Sequence, residues 1–73
     1  MSYNMKAERI RHGFTLEYVS NQIGVHHNAI SRWENKHSEP TASNLIALSK
    51  LYGCSPEYLL DLTDERNGAA VVT

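Results

Sequence analysis

Apolar residues recur at the three- and four-residue spacing of amphipathic helices, in short runs punctuated by Gly13, Gly24, Pro40, Gly53 and Pro56. Met5, Ile10 and Phe14 supply the apolar side of a first helix that Ser2 or Asn4 can cap and that runs to about His12, with Gly13 ending it. Thr15 is the expected N-cap of the next helix: Phe14 before it can staple onto Val19, and Glu17 sets negative charge against the positive helix end. This helix begins at Leu16 and stops at Ile23, because Gly24 accepts the left-handed backbone that closes a helix. After a turn of about three residues, Val25 and Ile30 stand in the same staple relation around a cap at His26 and open a third helix through Trp33 and Glu34.

In the polar loop KHSEPT, Pro40 disfavours helix at Glu39 and Thr41 caps a fourth helix. Leu45, Leu48, Ser49 and Tyr52 form its inward stripe, with Ile46 and Leu51 beside them, and Gly53 terminates it. Ser55-Pro56-Glu57 combines a cap, a first-position proline and a first-turn acid, Cys54 and Leu59 make a third staple, and the fifth helix is expected to end near Leu62. The body has no strand, internal repeat or low-complexity segment, so the expected fold class is all-α, a compact bundle of five short helices over residues 1–62. Helices two and three make a helix-turn-helix around which the rest packs. Val19, Ile23, Ile30 and Trp33 face one another, which leaves His26, His27, Asn28, Ser31 and Arg32 as an outer row where function is to be sought.

Residues 63–73, TDERNGAAVVT, form a tail of different character: charged, then glycine-containing, then a short apolar β-prone run. Three readings stand for it. It is a disordered end, or Ala69 to Val72 contact a dimer mate by pairing with their counterpart, or it is a linker towards a larger domain.

At 73 residues the chain has room for one domain and a modest core, worth about 3 to 5 kcal/mol. One cysteine, Cys54, excludes an intramolecular disulfide, no apolar run approaches the roughly 20 residues that span a bilayer, and the polar stretch Met1 to Arg11 lacks the apolar centre of a secretory signal. A reducing cytoplasm is the expected setting. The formal net charge of -1 is not the basic balance of a typical nucleic-acid binder, but its distribution changes the picture. Residues 1–37 carry Lys6, Arg9, Arg11, Arg32 and Lys36 against Glu8, Glu17 and Glu34, a net of +2, together with all four histidines. Residues 38–73 carry Lys50 and Arg66 against Glu39, Glu57, Asp61, Asp64 and Glu65, a net of -3. One half therefore suits phosphate and the other water, with modest non-specific affinity because few cations are available to release counterions.

His26, His27, His37 and Cys54 are metal-capable, yet the spacing of a dedicated site is absent, and adjacent helix positions point about 100° apart, so His26 and His27 make poor joint ligands. No triad links the serines, histidines and aspartates, and so small a core leaves little room for a sheltered pocket. No catalysis, metal, cofactor or small-molecule substrate is expected.

Arg9 four residues before Gly13, then Thr15, Val19, Gly24, Ile30, Glu34 and Pro40, continuing through LIALSKLYGCSPEYLL, resembles the lambda-repressor-like, or Xre, family of DNA-binding domains, which includes phage repressors and Cro proteins. The resemblance covers about three quarters of the chain. It implies a sequence-specific double-stranded DNA-binding transcriptional regulator, with repression by occluding polymerase as the default. It also implies a homodimer, formed through the C-terminal half, on a palindromic operator whose half-sites lie about 10 base pairs apart. The helix from about residue 27 to 35 would enter the major groove, with His27, Asn28, Ser31 and Arg32 at base edges; Asn28 suits adenine, and Arg32 suits guanine N7 and O6. Thr15, His26, Asn35 and Lys36, joined by Ser43 and Asn44, would hold the DNA backbone, and Arg9 and Glu34 would form a structural ion pair.

Three positions depart from the pattern. Leu16 replaces the usual glutamine and cannot make its phosphate contact, His26 replaces a serine or threonine cap, and Lys36 replaces a closing glycine, at a cost of about 1 kcal/mol if left-handed. A histidine facing phosphate would add a cation on protonation, so affinity is expected to rise from pH 8 to pH 6. The alternative class is a protein-interaction module, such as an antitoxin or phage regulatory factor, using the acidic half. Exposed Tyr58, Leu59, Leu60 and Leu62 would serve that or dimerisation.

Overall fold

N-caps at Thr15, His26, Thr41 and Ser55 open four of the five helices: a computed structural model describes residues 3–66 and places α1 at Tyr3–Arg11, α2 at Leu16–Ile23, α3 at His27–Glu34, α4 at Ala42–Tyr52 and α5 at Pro56–Leu59. No strand occurs among the described residues. Thr15 Oγ1 accepts from Tyr18 N at 3.0 Å, Thr41 Oγ1 from Asn44 N at 3.3 Å and Ser55 Oγ from Tyr58 N at 3.1 Å, so each hydroxyl satisfies an amide that its helix cannot. The closing residues are left-handed throughout. Gly13, Gly24 and Gly53 do this without a side chain to clash, whereas Lys36 (φ 58°) and Asp61 (φ 62°) do it at a cost of about 1–2 kcal/mol each. Behind Lys36, His37 N donates to Arg32 O and Lys36 N to Trp33 O; behind Asp61, Leu62 N donates to Glu57 O and Asp61 N to Tyr58 O. Both are the paired bonds of a Schellman closure.

α2 packs on α3 and α4, α1 on α3 and α5, and α4 on α5. Met5, Val19, Ile30, Trp33, Leu48, Tyr52, Cys54 and Leu59 are buried at the centre, with Phe14, Leu16, Ile23, Val25 and Leu45 packed around them. Burial pushes the Cys54 thiol up to about 11, which keeps it protonated and unreactive.

Several expectations need correction. Ile10 is 60% exposed, because α1 turns Met5, Glu8 and Arg9 inward at helical spacing and Ile10 lies about 100° round from Arg9. The inward face of α1 thus carries charge, and apolar character misreports which side is inside. Asn4 is not a cap: it lies inside α1, where its backbone N donates to Asp61 Oδ1 at 3.1 Å and its side-chain amide to Tyr58 O at 2.7 Å, so the turn after α5 caps α1. Ser2 and the pairing segment Ala69 to Val72 lie outside the described residues. α5 stops at Leu59 rather than near Leu62, because Asp61 takes the left-handed turn, and Leu59 is fully buried rather than exposed. Part of the segment after residue 62 contacts the body. Arg66 returns to α1 and donates to Glu8 through Nε at 2.9 Å and Nη2 at 2.7 Å, while Nη2 also donates to Tyr52 O at 2.8 Å. Ser55 N closes the loop onto Arg66 O at 2.8 Å.

Glu8 is 1% exposed, and its carboxyl is held below the ordinary value by the hydrogen bonds from Arg66, against burial, with the charges of Arg66, Arg11 and His12 adding to the lowering. A depressed carboxylate contributes stability above its unfolded pKa and loses it as pH falls through the folded one. Arg66→Ala should therefore cost about 2 kcal/mol at pH 7, the penalty of a broken buried pair reduced because Arg66 is part-exposed. In urea denaturation this difference should begin to shrink as the pH falls below the ordinary carboxylate range and should vanish only through the lowered folded pKa, where Glu8 takes up its proton despite Arg66.

Candidate nucleic-acid interface

The turn between α2 and α3 is built from Gly24, Val25 and His26, with Gly24 N and Val25 N both donating to Ser20 O at 2.8 and 3.0 Å. Gly24 (φ 77°) reverses the chain, and His26 enters α3 in an extended conformation. In place of a hydroxyl, His26 Nδ1 accepts from Asn28 N at 3.1 Å. That cap uses the lone pair of Nδ1, so the proton of the neutral ring sits on Nε2, and protonating Nδ1 would remove the acceptor. The His27 ring stacks on that of His26 with centroids 4.3 Å apart.

α3 has two distinct faces. Ile30, Trp33 and Glu34 are buried, while His27, Asn28 and Arg32 are exposed. Asn28 and Arg32 are four apart and share one side of the helix. Among the described residues neither side chain has a polar partner, so the carboxamide and the guanidinium are free to bind. Ser31 is half-buried, and its carbonyl accepts from both Asn35 N and Asn35 Nδ2, each at 3.0 Å, so Ser31 presents less of itself than the other three.

The orientation of α3 is fixed from behind. Arg9 Nε donates to Glu34 Oε2 at 2.7 Å and Nη2 to Glu34 Oε1 at 3.1 Å, a bidentate pair in which the side chains are 14% and 5% exposed. Arg9 Nη1 also donates to Phe14 O at 3.2 Å, which ties α1 and the entry to α2 to the end of α3. The bonds to Glu34 raise the pKa of Arg9 further above its usual range, against desolvation.

The residues expected at the DNA backbone do not form one group. Thr15 and His26 cap α2 and α3, Asn35 and Lys36 close α3, and all four are exposed. Thr15 Oγ1 and one Asn35 amide N–H are already committed to their own helices. Lys36 Nζ lies 3.4 Å from Asp61 Oδ2, a partner that sequence reasoning missed because nothing local marks Asp61 as the turn residue facing it. Exposed Ser43 and half-buried Asn44 belong to the start of α4, where Ser43 Oγ is 3.3 Å from Thr41 Oγ1 and Asn44 N donates to that cap. Among the described residues there is no cluster of three or more metal-capable side chains and no helix long and apolar enough to cross a membrane.

Two helices in a fixed crossing, the second offering a free polar face, define a helix-turn-helix module. The Helix-turn-helix family model matches residues 5–59, and the chain belongs to this family in its lambda-repressor-like form. It is 40% identical over 60 residues to Repressor protein C2 of Salmonella phage P22, which spans 82% of this chain and 28% of that protein. It is 40% identical over 58 residues to the HTH-type transcriptional regulator DicA of Escherichia coli, spanning 73% of this chain and 43% of that protein. The chain thus covers less than half the length of either relative. The crystal structure of the P22 c2 repressor with synthetic operator 9T in the presence of Tl+ superimposes with a TM-score of 0.76 at 39% identity, covering 81% of this chain and 89% of that one.

Replacing the imidazole cap tests how α3 begins. His26→Ala should lower stability by about 1 kcal/mol and reduce amide protection at Asn28, whereas His26→Ser, which restores a hydroxyl acceptor, should recover both. Chemical denaturation with hydrogen exchange reads the two quantities together.

Proposed function

We propose that this domain is a sequence-specific double-stranded DNA-binding transcriptional regulator, a repressor by default, that reads the major groove with α3. The observation that carries the reading is the outer face of α3, where Asn28 and Arg32 stand exposed beside His27, their side chains without a polar partner among the described residues. A major groove admits one helix, and these side chains near its N-terminal half have the hydrogen-bonding patterns that distinguish base pairs. The superposition on a repressor bound to operator DNA supports the same partner. His27, Asn28 and Arg32 read base edges, with Ser31 in a lesser role. Thr15, His26, Asn35 and Lys36, joined by Ser43 and Asn44, hold the sugar-phosphate backbone.

Internal pairing limits the electrostatic share of binding. Arg9 and Arg66 are taken up by Glu34 and Glu8, so Lys6, Arg11, Arg32, Lys36 and Lys50 are the exposed cations left, Arg11 and Lys36 each beside an acid, and non-specific affinity is weak. A homodimer through the C-terminal half, on a palindrome with half-sites about 10 base pairs apart, compensates by engaging two half-sites at once. Among the described residues, Leu62, 72% exposed, and Ile46, 49% exposed, are apolar residues available to that dimer. The protein acts in the cytoplasm as a binder rather than a catalyst.

Selection from random duplexes tests the reading. Wild type should enrich a palindromic consensus, and Asn28→Ala and Arg32→Ala should each lose about 1–3 kcal/mol of discrimination at one position of the half-site. Enrichment without positional preference, or variants that select the wild-type consensus with undiminished strength, would overturn it.

A further inference from the structure

α3 and α5 close alike: each ends in a left-handed residue that is not glycine, and the two residues are charged oppositely and meet, Lys36 Nζ to Asp61 Oδ2 at 3.4 Å. The pair is lopsided. The Lys36 side chain is 47% exposed and the Asp61 side chain 21% exposed. Oδ2 itself is buried and accepts no hydrogen bond among the described residues, while Oδ1 accepts from Asn4 N at the start of α1. The ammonium is therefore wet and loosely held, whereas the carboxylate oxygen depends on it. Asp61 cannot swing out to follow the lysine without giving up the cap on α1, so it is the fixed member and Lys36 the mobile one.

We infer that Asp61 is an internal competitor for the phosphate contact of Lys36, holding the ammonium back from DNA and so setting how strongly, and with what salt dependence, the domain binds. This rests on the DNA-binding reading above. For Lys36 to reach a phosphate it must leave Asp61, stranding a buried carboxylate oxygen without a cation. Every phosphate that Lys36 reaches carries that penalty. Because phosphate contacts are blind to sequence, the competition lowers affinity for all duplexes alike and leaves base preference untouched.

Asp61→Asn is the informative change, since asparagine tolerates the left-handed backbone and keeps an oxygen for Asn4 N while losing the charge. Binding is measured across salt concentrations on the operator obtained by selection and on a mixed-sequence duplex. Asp61→Asn should bind both about threefold or more tightly at low salt and steepen the slope of log K against log salt by about 0.9, one additional phosphate neutralised. Lys36→Gln in the Asp61→Asn background should cancel both effects, and Lys36→Gln alone should change wild type by less. An Asp61→Asn protein that is folded by circular dichroism yet binds with the wild-type slope, or more weakly, overturns the inference. So does tighter binding that survives Lys36→Gln, which would make it a long-range charge effect. Should asparagine fail to fold, Asp61→Gly keeps the backbone region and removes the same charge. Wild type binding no duplex in the selection overturns the DNA-binding reading and this inference with it, an outcome distinct from a normal operator bound with an unchanged slope.

Discussion

The guanidinium of Arg9 is where three parts of the chain are made to agree. It sits on α1, grips both oxygens of Glu34 at the end of α3, and donates to the carbonyl of Phe14 at the entry to α2. With both partners largely dry and mutually satisfied, the pair contributes less to net stability than its short distances imply, because the cost of removing two charges from water offsets most of the attraction. What it supplies is direction. An apolar contact in the same place would leave α3 free to rotate over its neighbours, whereas a bidentate pair accepts one geometry. The outward aim of Asn28 and Arg32 follows from the inward hold on Glu34, on the same helix.

Charge is used on the inside and consumed there. Glu8 and Glu34 are buried acids, each answered by an arginine, and this removes two cations from the surface of a chain that carries seven lysines and arginines in total. On the proposed reading, the domain binds through a small number of placed groups rather than through a broad positive field. Under those conditions one further tether, such as that between Lys36 and Asp61, has leverage on affinity that it would lack on a strongly basic protein.

The helix-turn-helix was legible because independent local signals coincide over it. Thr15, Gly24 and the spacing of Val19, Ile30 and Trp33 each give the same boundaries, and the outer row follows from what the apolar stripe leaves over. α4 was legible for the same reason. α1 was half-read, since its inner face is Met5 with Glu8 and Arg9, and a pattern of apolar positions promotes Ile10 instead. The end of α5 was misplaced because Asp61, unlike a glycine, does not advertise a left-handed turn. Arg66 could not be found at all by local reasoning, its partner Glu8 lying 58 residues away. At the candidate interface, which side chains face out was readable. Which of them are already tied down was not, because that depends on partners brought together only by the fold.

The central claim is that the outer face of α3 meets the groove. The most direct measurement is an amide NMR titration of the labelled domain with an operator duplex. The largest shifts should fall on residues 26–36, with smaller ones at Thr15 and the start of α4. Shifts concentrated on residues 57–62 with α3 unmoved would contradict the claim and favour a protein-binding surface in the acidic half.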